Sequence, residues 1–152
     1  MAKNDEDILR KRLVSSIRNQ LSNDKELLVE DTHGAFEHGV DIVFLTRDNF
    51  GEILCYGIQL KGKKINCTAK NHGVKEIIGQ LAIASGHYHK FQTNVRYEFS
   101  GFYVITDKEI TKPARDYISS AFSVGKPIYY LYGAKLEKFI LDNEVVDLTQ
   151  EE

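Results

Sequence analysis

The chain is predicted to be an α/β domain with a central mixed β-sheet flanked by helices on both faces. Three observations carry this. Segments with helical apolar spacing alternate with short apolar runs along the 152 residues. The two runs Val40–Arg47 and Ile53–Lys61 are apolar at successive as well as alternate positions, as expected of strands covered on both faces. The stretch between them, Arg47–Gly51, has turn composition, which makes the two runs an antiparallel hairpin.

The remaining elements follow in order. Residues 5–22 read as a helix with Asn4 as its N-cap, acids at 5–7 suiting the positive end of the helix dipole, and a stripe of Ile8, Leu9, Leu13, Ile17 and Leu21. A short strand is expected around Leu27–Val29, within 25–31, followed by a loop over 32–39. After the hairpin, 71–90 reads as one helix carrying Val74, Ile77, Ile78, Leu81 and Ile83. A strand over 96–106 and a helix over 112–123 come next, with Pro113 in the helix's first turn, where proline is favoured. A strand over 127–132, a helix over 133–141 and a polar tail with an extended piece at Val145–Val146 complete the chain. A single domain is expected over 1–152, with its core over about 5–141 and no repeat or linker.

A hydrophobic fraction of 42% and a net charge of −2 are ordinary for a soluble protein and argue against a general polyanion coat. A local basic edge is still allowed, because electrostatic fields act over about a Debye length, ~8–10 Å. No apolar run approaches the roughly 18 residues of a membrane span, and the polar start lacks a signal-peptide core. A cytoplasmic location with both cysteines, Cys55 and Cys67, as reduced thiols is therefore expected.

The chemistry-bearing residues sit in the hairpin. Polar groups within apolar runs are costly unless paired or bound to something, so Asp41, Gln59 and Lys61 need a reason to be there. Gln59 and Lys61, two apart on a strand, share a face. If the turn centres on Phe50, Asp41 lies opposite Gln59, with β-carbons about 5 Å apart. An acid and an amide oxygen suit Mg²⁺ or Mn²⁺, hard cations that keep several waters. A neighbouring lysine can orient a water or stabilise negative charge developing on a phosphate. Asp41, the Gln59 oxygen and the Leu60 carbonyl would be the metal ligands, and Lys61 the catalytic cation. The competing explanation is a structural Asp41–Lys61 ion pair, which leaves Gln59 unexplained.

Asp in an apolar strand, then Gln-x-Lys on the next, resembles the signature of the PD-(D/E)XK nuclease superfamily. The Gly39-x-Asp41 … Gln59-x-Lys61 form looks most like Mrr-type restriction endonucleases and related phage-defence effector nucleases. The element order over about 5–141 is similar as well. The resemblance implies a restriction-endonuclease-like fold and Mg²⁺- or Mn²⁺-dependent cleavage of DNA, more readily double-stranded. It also implies a homodimer or an effector domain of a larger assembly. It implies an acid from the first helix, matched by Glu6, whose alternative role is that of a partner to the helix dipole. Glu37 is a second candidate, or else a solvated loop acid. Many members carry Glu where Gln59 stands, which makes this site's ligand set weaker. Lys63 and Lys64, with Lys70 and Lys75, form the basic edge suited to phosphates, and Gln80 is placed to support the centre or contact DNA, unless these are solvated surface groups. A nuclease-fold binding module without catalysis and a Holliday-junction-type resolvase remain as alternatives. His87 and His89, two apart on an expected helix, do not share a face and so do not suggest a zinc site. His33, His38 and His72 read as surface histidines. The tyrosines, Tyr129, Tyr130 and Tyr132 among them, read as packing residues.

Overall fold

A computed structural model describes residues 2–32, 39–67, 73–122 and 125–144, the side chains of 2–4 excepted. It is an α/β structure with a five-stranded mixed sheet and four helices. The elements are α1 (Ala2–Gln20), β1 (Val29–Asp31), β2 (Ile42–Arg47), β3 (Ile53–Lys61), α2 (Gly73–Ser85), β4 (Tyr88–Lys90), β5 (Arg96–Glu98), β6 (Gly101–Thr106), α3 (Lys112–Ala121), β7 (Ile128–Tyr132) and α4 (Gly133–Asn143).

The main sheet has the order β1-β2-β3-β6-β7. Its β1–β2 and β2–β3 pairs are antiparallel, and its β3–β6 and β6–β7 pairs are parallel. The hairpin turn is built by Asp48, whose carboxylate accepts from the Phe50 and Glu52 amides at 2.8 and 3.0 Å. Gly51 closes the turn at φ +85, a conformation that glycine adopts without a side-chain clash. The resulting register pairs Ile42 with Ile58 and Arg47 with Ile53, so the turn does centre on residue 50.

Both crossovers, β3 to β6 and β6 to β7, step the same way across the sheet. A constant connection hand then puts α2 and α3 on one face. Val74, Ile77, Leu81, Ala114 and Ile118 of these helices are buried with Val43, Leu45, Cys55, Phe102 and Val104 of the strands. On the opposite face, Leu9, Leu13 and Ile17 of α1 and Leu136 and Ile140 of α4 are buried with Ile42, Ile58, Leu60 and Ile105. The alternation along β3 therefore assigns Gln59 and Lys61, with Cys55, to the α2 side. Among the described residues no helix is long and apolar enough to cross a membrane.

Three sequence expectations change. The long helix expected over 71–90 ends at Ser85. The amides of Gly86 and His87 bond back to Ile83 and Ala84, tightening the last turn, and glycine is a poor continuation. Tyr88–Lys90 then forms β4, paired with β5 in a separate two-stranded sheet. The strand expected over 96–106 divides into β5 and β6, because Phe99 turns into the core and the Ser100 amide bonds to the Cys55 carbonyl at 2.7 Å. Asn4 is not an N-cap, since α1 already starts at Ala2. The expected extended piece at 145–146 lies outside the described residues, as do Glu37, Lys70, His33, His38 and His72.

Candidate functional site

The end of β3 is where the chain leaves the sheet with polar side chains in an otherwise apolar run. Asp41 precedes β2, and its amide donates to the Ile58 carbonyl at 2.8 Å, the residue that already pairs with Ile42, so the regular ladder ends at Ile42 and Asp41 and Ile42 both face Ile58. The expected ladder pair of Asp41 with Gln59 is therefore not formed, and the two residues meet instead as lining of one cleft. One of the Asp41 carboxylate oxygens, Oδ2, accepts from the Leu60 amide at 2.9 Å. A carboxylate that accepts from a backbone donor is held in one orientation.

Helix α2 reaches this point because of Gly39. It has φ +85, and a Cβ there would stand 2.0 Å from the Gln80 carbonyl oxygen. Only glycine lets the segment before Asp41 lie against the helix backbone. Helix α1 approaches from the other face at Gly62. The Gly62 amide donates to Glu6 Oε2 at 3.1 Å, and a Cβ on Gly62 would lie 3.1 Å from the Glu6 Cβ.

These approaches form one cleft of about 210 Å³ lined by Glu6, Asp41, Gln59, Leu60, Lys61, Glu76 and Gln80, with Gly39 and Val40. Every candidate of the central constellation that lies within the described residues is brought together here. Gln80 joins them from α2. Gln59 and Lys61 are buried, with 6% and 8% of their surface exposed. Lys63 and Lys64 do not line the cleft. They are exposed on the segment just beyond it, and Lys64 pairs with Glu109 at 3.3 Å.

The residue missed from the sequence is Glu76, whose Oε1 forms an ion pair with Lys61 Nζ. The hydrogen bond from Lys61 holds the Glu76 carboxyl below its ordinary range; partial desolvation works against this, and the positive charges of Lys61 and Lys63 reinforce it. A signal for it existed, since Glu76 lies one turn before Gln80 and shares its helix face. The structural alternative of an Asp41–Lys61 pair is thus not the pairing found for Lys61.

Comparison of the chain with protein-family models, with curated proteins and with solved structures finds no match. The site has to be read from its own chemistry.

Among the described residues the cleft holds three carboxylates, Glu6, Asp41 and Glu76, against one ammonium, Lys61. That excess of negative charge favours a cation. Gln59 Oε1 is enclosed and has no hydrogen-bond partner among the described residues. An unpaired buried oxygen costs about 1–3 kcal/mol, and a hard cation would recover that cost. Among the described residues no three His, Cys, Asp or Glu side chains converge closely enough to hold a metal by themselves. Magnesium needs only one or two carboxylates with waters and other oxygens, so Asp41, the Gln59 amide oxygen and a backbone carbonyl fit it as a sparse hard-oxygen set. Of the described histidines neither contributes: His89 Nε2 bonds with Glu30 at 2.8 Å, and His87 is on the surface.

Proposed function

We propose that this chain is a metal-dependent DNA endonuclease with a restriction-endonuclease-like fold, similar to the Mrr-type PD-(D/E)XK nucleases. The observation that carries the reading is the enclosed Gln59 Oε1, which has no hydrogen-bond partner among the described residues and lines one cleft with Asp41, Lys61 and the α1 acid Glu6. A structural ion pair would leave that oxygen without a purpose.

In this reading Asp41, Gln59 Oε1 and the Leu60 carbonyl hold Mg²⁺ or Mn²⁺, and Glu6 supports the set from α1. The bound ion supplies Lewis-acid polarisation of the phosphate and a water of lowered pKa. The Leu60 amide orients the Asp41 carboxylate. Lys61 orients the attacking water or stabilises negative charge on the phosphate. Glu76 pairs with Lys61 and holds its ammonium at the cleft until substrate competes for it. Lys63 and Lys64, just past the catalytic strand, contact the backbone of the substrate. Double-stranded DNA is the expected substrate, and a pair of copies would cut both strands.

Plasmid cleavage tests this. Wild-type protein with Mg²⁺ or Mn²⁺ should nick or linearise supercoiled DNA, and Asp41→Ala and Lys61→Ala should each be slower by roughly 10²–10³-fold. Absence of wild-type cutting with either metal, or equal cutting by all three proteins, sinks the proposal. The engagement of Lys61 by Glu76 favours one second reading, a nuclease-fold module that binds without cleaving. DNA binding without any cleavage would select it.

A further inference from the structure

A second groove, of about 580 Å³, lies where β7 runs into α4. It is lined by Lys108, Glu109, Arg115, Tyr130, Tyr132 and Lys135, with the first residues of α4. Three cations meet there. Arg115 comes from α3 and places its guanidinium 5.4 Å from the centre of the Tyr132 ring. Its Nε is enclosed and has no acceptor among the described residues. A partly buried guanidinium with no ion-pair partner among the described residues is costly, and an anion would offset that cost. Lys135 has no acidic partner among the described residues, and Lys108 has only a loose one in Asp107 at 3.6 Å. The one acid in the groove, Glu109, is taken by Lys64 at 3.3 Å.

The backbone adds to this. Helix α4 has 11 residues, its N-cap Tyr132 provides no side-chain hydrogen bond, and its first turn has no acid. The amides of that turn carry the positive end of the helix dipole toward the groove. A guanidinium stacked on a tyrosine, two nearby lysines and helix N-terminal amides that the N-cap side chain does not engage suit a phosphate on a nucleotide strand.

The register connects the groove to the cleft. Lys61 pairs with Thr106, and Thr106 with Tyr132, so the three residues form one row across β3, β6 and β7. Two strand spacings put Tyr132 about 10 Å from Lys61. That is the axial rise of roughly three nucleotides on one DNA strand. Between the two lies the segment 62–64, whose Lys63 carbonyl accepts from the Thr106 hydroxyl at 2.9 Å. We infer that the Arg115–Lys108–Lys135 groove holds a backbone phosphate of the same nucleic-acid strand whose scissile phosphate lies at Lys61. The inference rests on the nuclease reading, yet concerns binding alone.

Anisotropy of a short fluorescein-labelled duplex, titrated with full-length protein in EDTA over a series of salt concentrations, measures it. Arg115→Ala and Lys135→Glu should each weaken binding several-fold and lower the salt slope by about one. Lys112→Ala should change neither: Lys112 lies on the same helix but outside the groove, paired with Asp116. Lys135 is exposed, so its variant tests the groove even if Arg115→Ala melts early. Equal effects from Lys112→Ala would reveal general charge only and overturn the assignment. So would displacement of the duplex by an acidic peptide as readily as by unlabelled DNA, which would mark a peptide groove. Wild-type cleavage with unaltered binding by the groove variants would refute the groove and leave the nuclease reading standing. Groove-dependent binding with no cleavage under any metal would do the reverse.

Discussion

Replacing Gly39 with alanine tests the physical basis of the cleft, because Gly51 provides a matched control. Both glycines have φ +85. At Gly51 an added Cβ meets nothing within 4 Å, whereas at Gly39 it meets the Gln80 carbonyl oxygen at 2.0 Å. Gly51→Ala should therefore cost only the left-handed backbone penalty, about 1–2 kcal/mol. Gly39→Ala carries that penalty and must also move α2 away from the hairpin by about 1 Å or more. Overpacking shifts of that kind cost about 1–3 kcal/mol, for a sum of roughly 2–5 kcal/mol. Urea denaturation followed by circular dichroism measures both. With unchanged m-values, the two variants should differ by about 1–3 kcal/mol, or by several degrees in Tm at roughly 2–4 °C per kcal/mol. Equal losses would show that α2 is not seated on Gly39 and that Gln80 and Glu76 do not stand beside Asp41.

Other outcomes follow from the same geometry. Gln59→Leu should leave stability in EDTA unchanged within about 1 kcal/mol or raise it, because it removes an unpaired buried oxygen. It should also abolish any rise in Tm produced by Mg²⁺ or Mn²⁺, which Gln59→Glu should increase. Glu76→Gln should lower stability by less than about 1 kcal/mol at neutral pH, since the carboxylate is half-exposed, at 51%. The Glu76 carboxyl is depressed in the folded protein, so its contribution is complete above the unfolded value near 4.5 and is lost as pH falls through the lower folded value. Parallel pH–stability curves should therefore be separate at pH 6 and converge once the pH falls below the depressed folded value. Burial pushes the Cys55 thiol up to about 12, while Cys67 is exposed. Titration of the native protein with a thiol reagent at about pH 8 should show one fast thiol, lost in Cys67→Ser, and a second only after unfolding.

The hairpin was legible because turn chemistry and strand alternation agree. Asp48 and Gly51 fix the turn, and the turn fixes which face Gln59 and Lys61 occupy, while Asp41, beyond the regular ladder, is placed by its bond from the Leu60 amide. The end of α2 was not legible, since Ile83 and Leu81 keep the helical spacing right up to Gly86, and β4 is only three residues of mixed polarity. Glu76 escaped notice because an acid in the first turn of a helix already has a sufficient reason, the dipole. Its partner is 15 residues away and on another element. The groove at α4 was beyond sequence reasoning for the same cause. Lys108, Arg115 and Lys135 meet only through the parallel register of β6 and β7, which no local pattern encodes.

The order in which the chain supplies these parts has a consequence for synthesis. All six polar side chains of the cleft, Glu6 through Gln80, precede Gly101, where β6 starts. A nascent chain that has reached α2 thus contains the whole constellation, but β3 still has one open edge of unpaired amides and carbonyls. Such an edge is a template for pairing with a neighbouring chain. Parallel pairing across the roughly 40 residues from β3 to β6 is slow to form, because the connecting loop must close before any ladder contact rewards it. Translation through β6 and β7 is therefore the interval in which this protein is most exposed to self-association. The strands that contribute nothing to the cleft are the ones that end it.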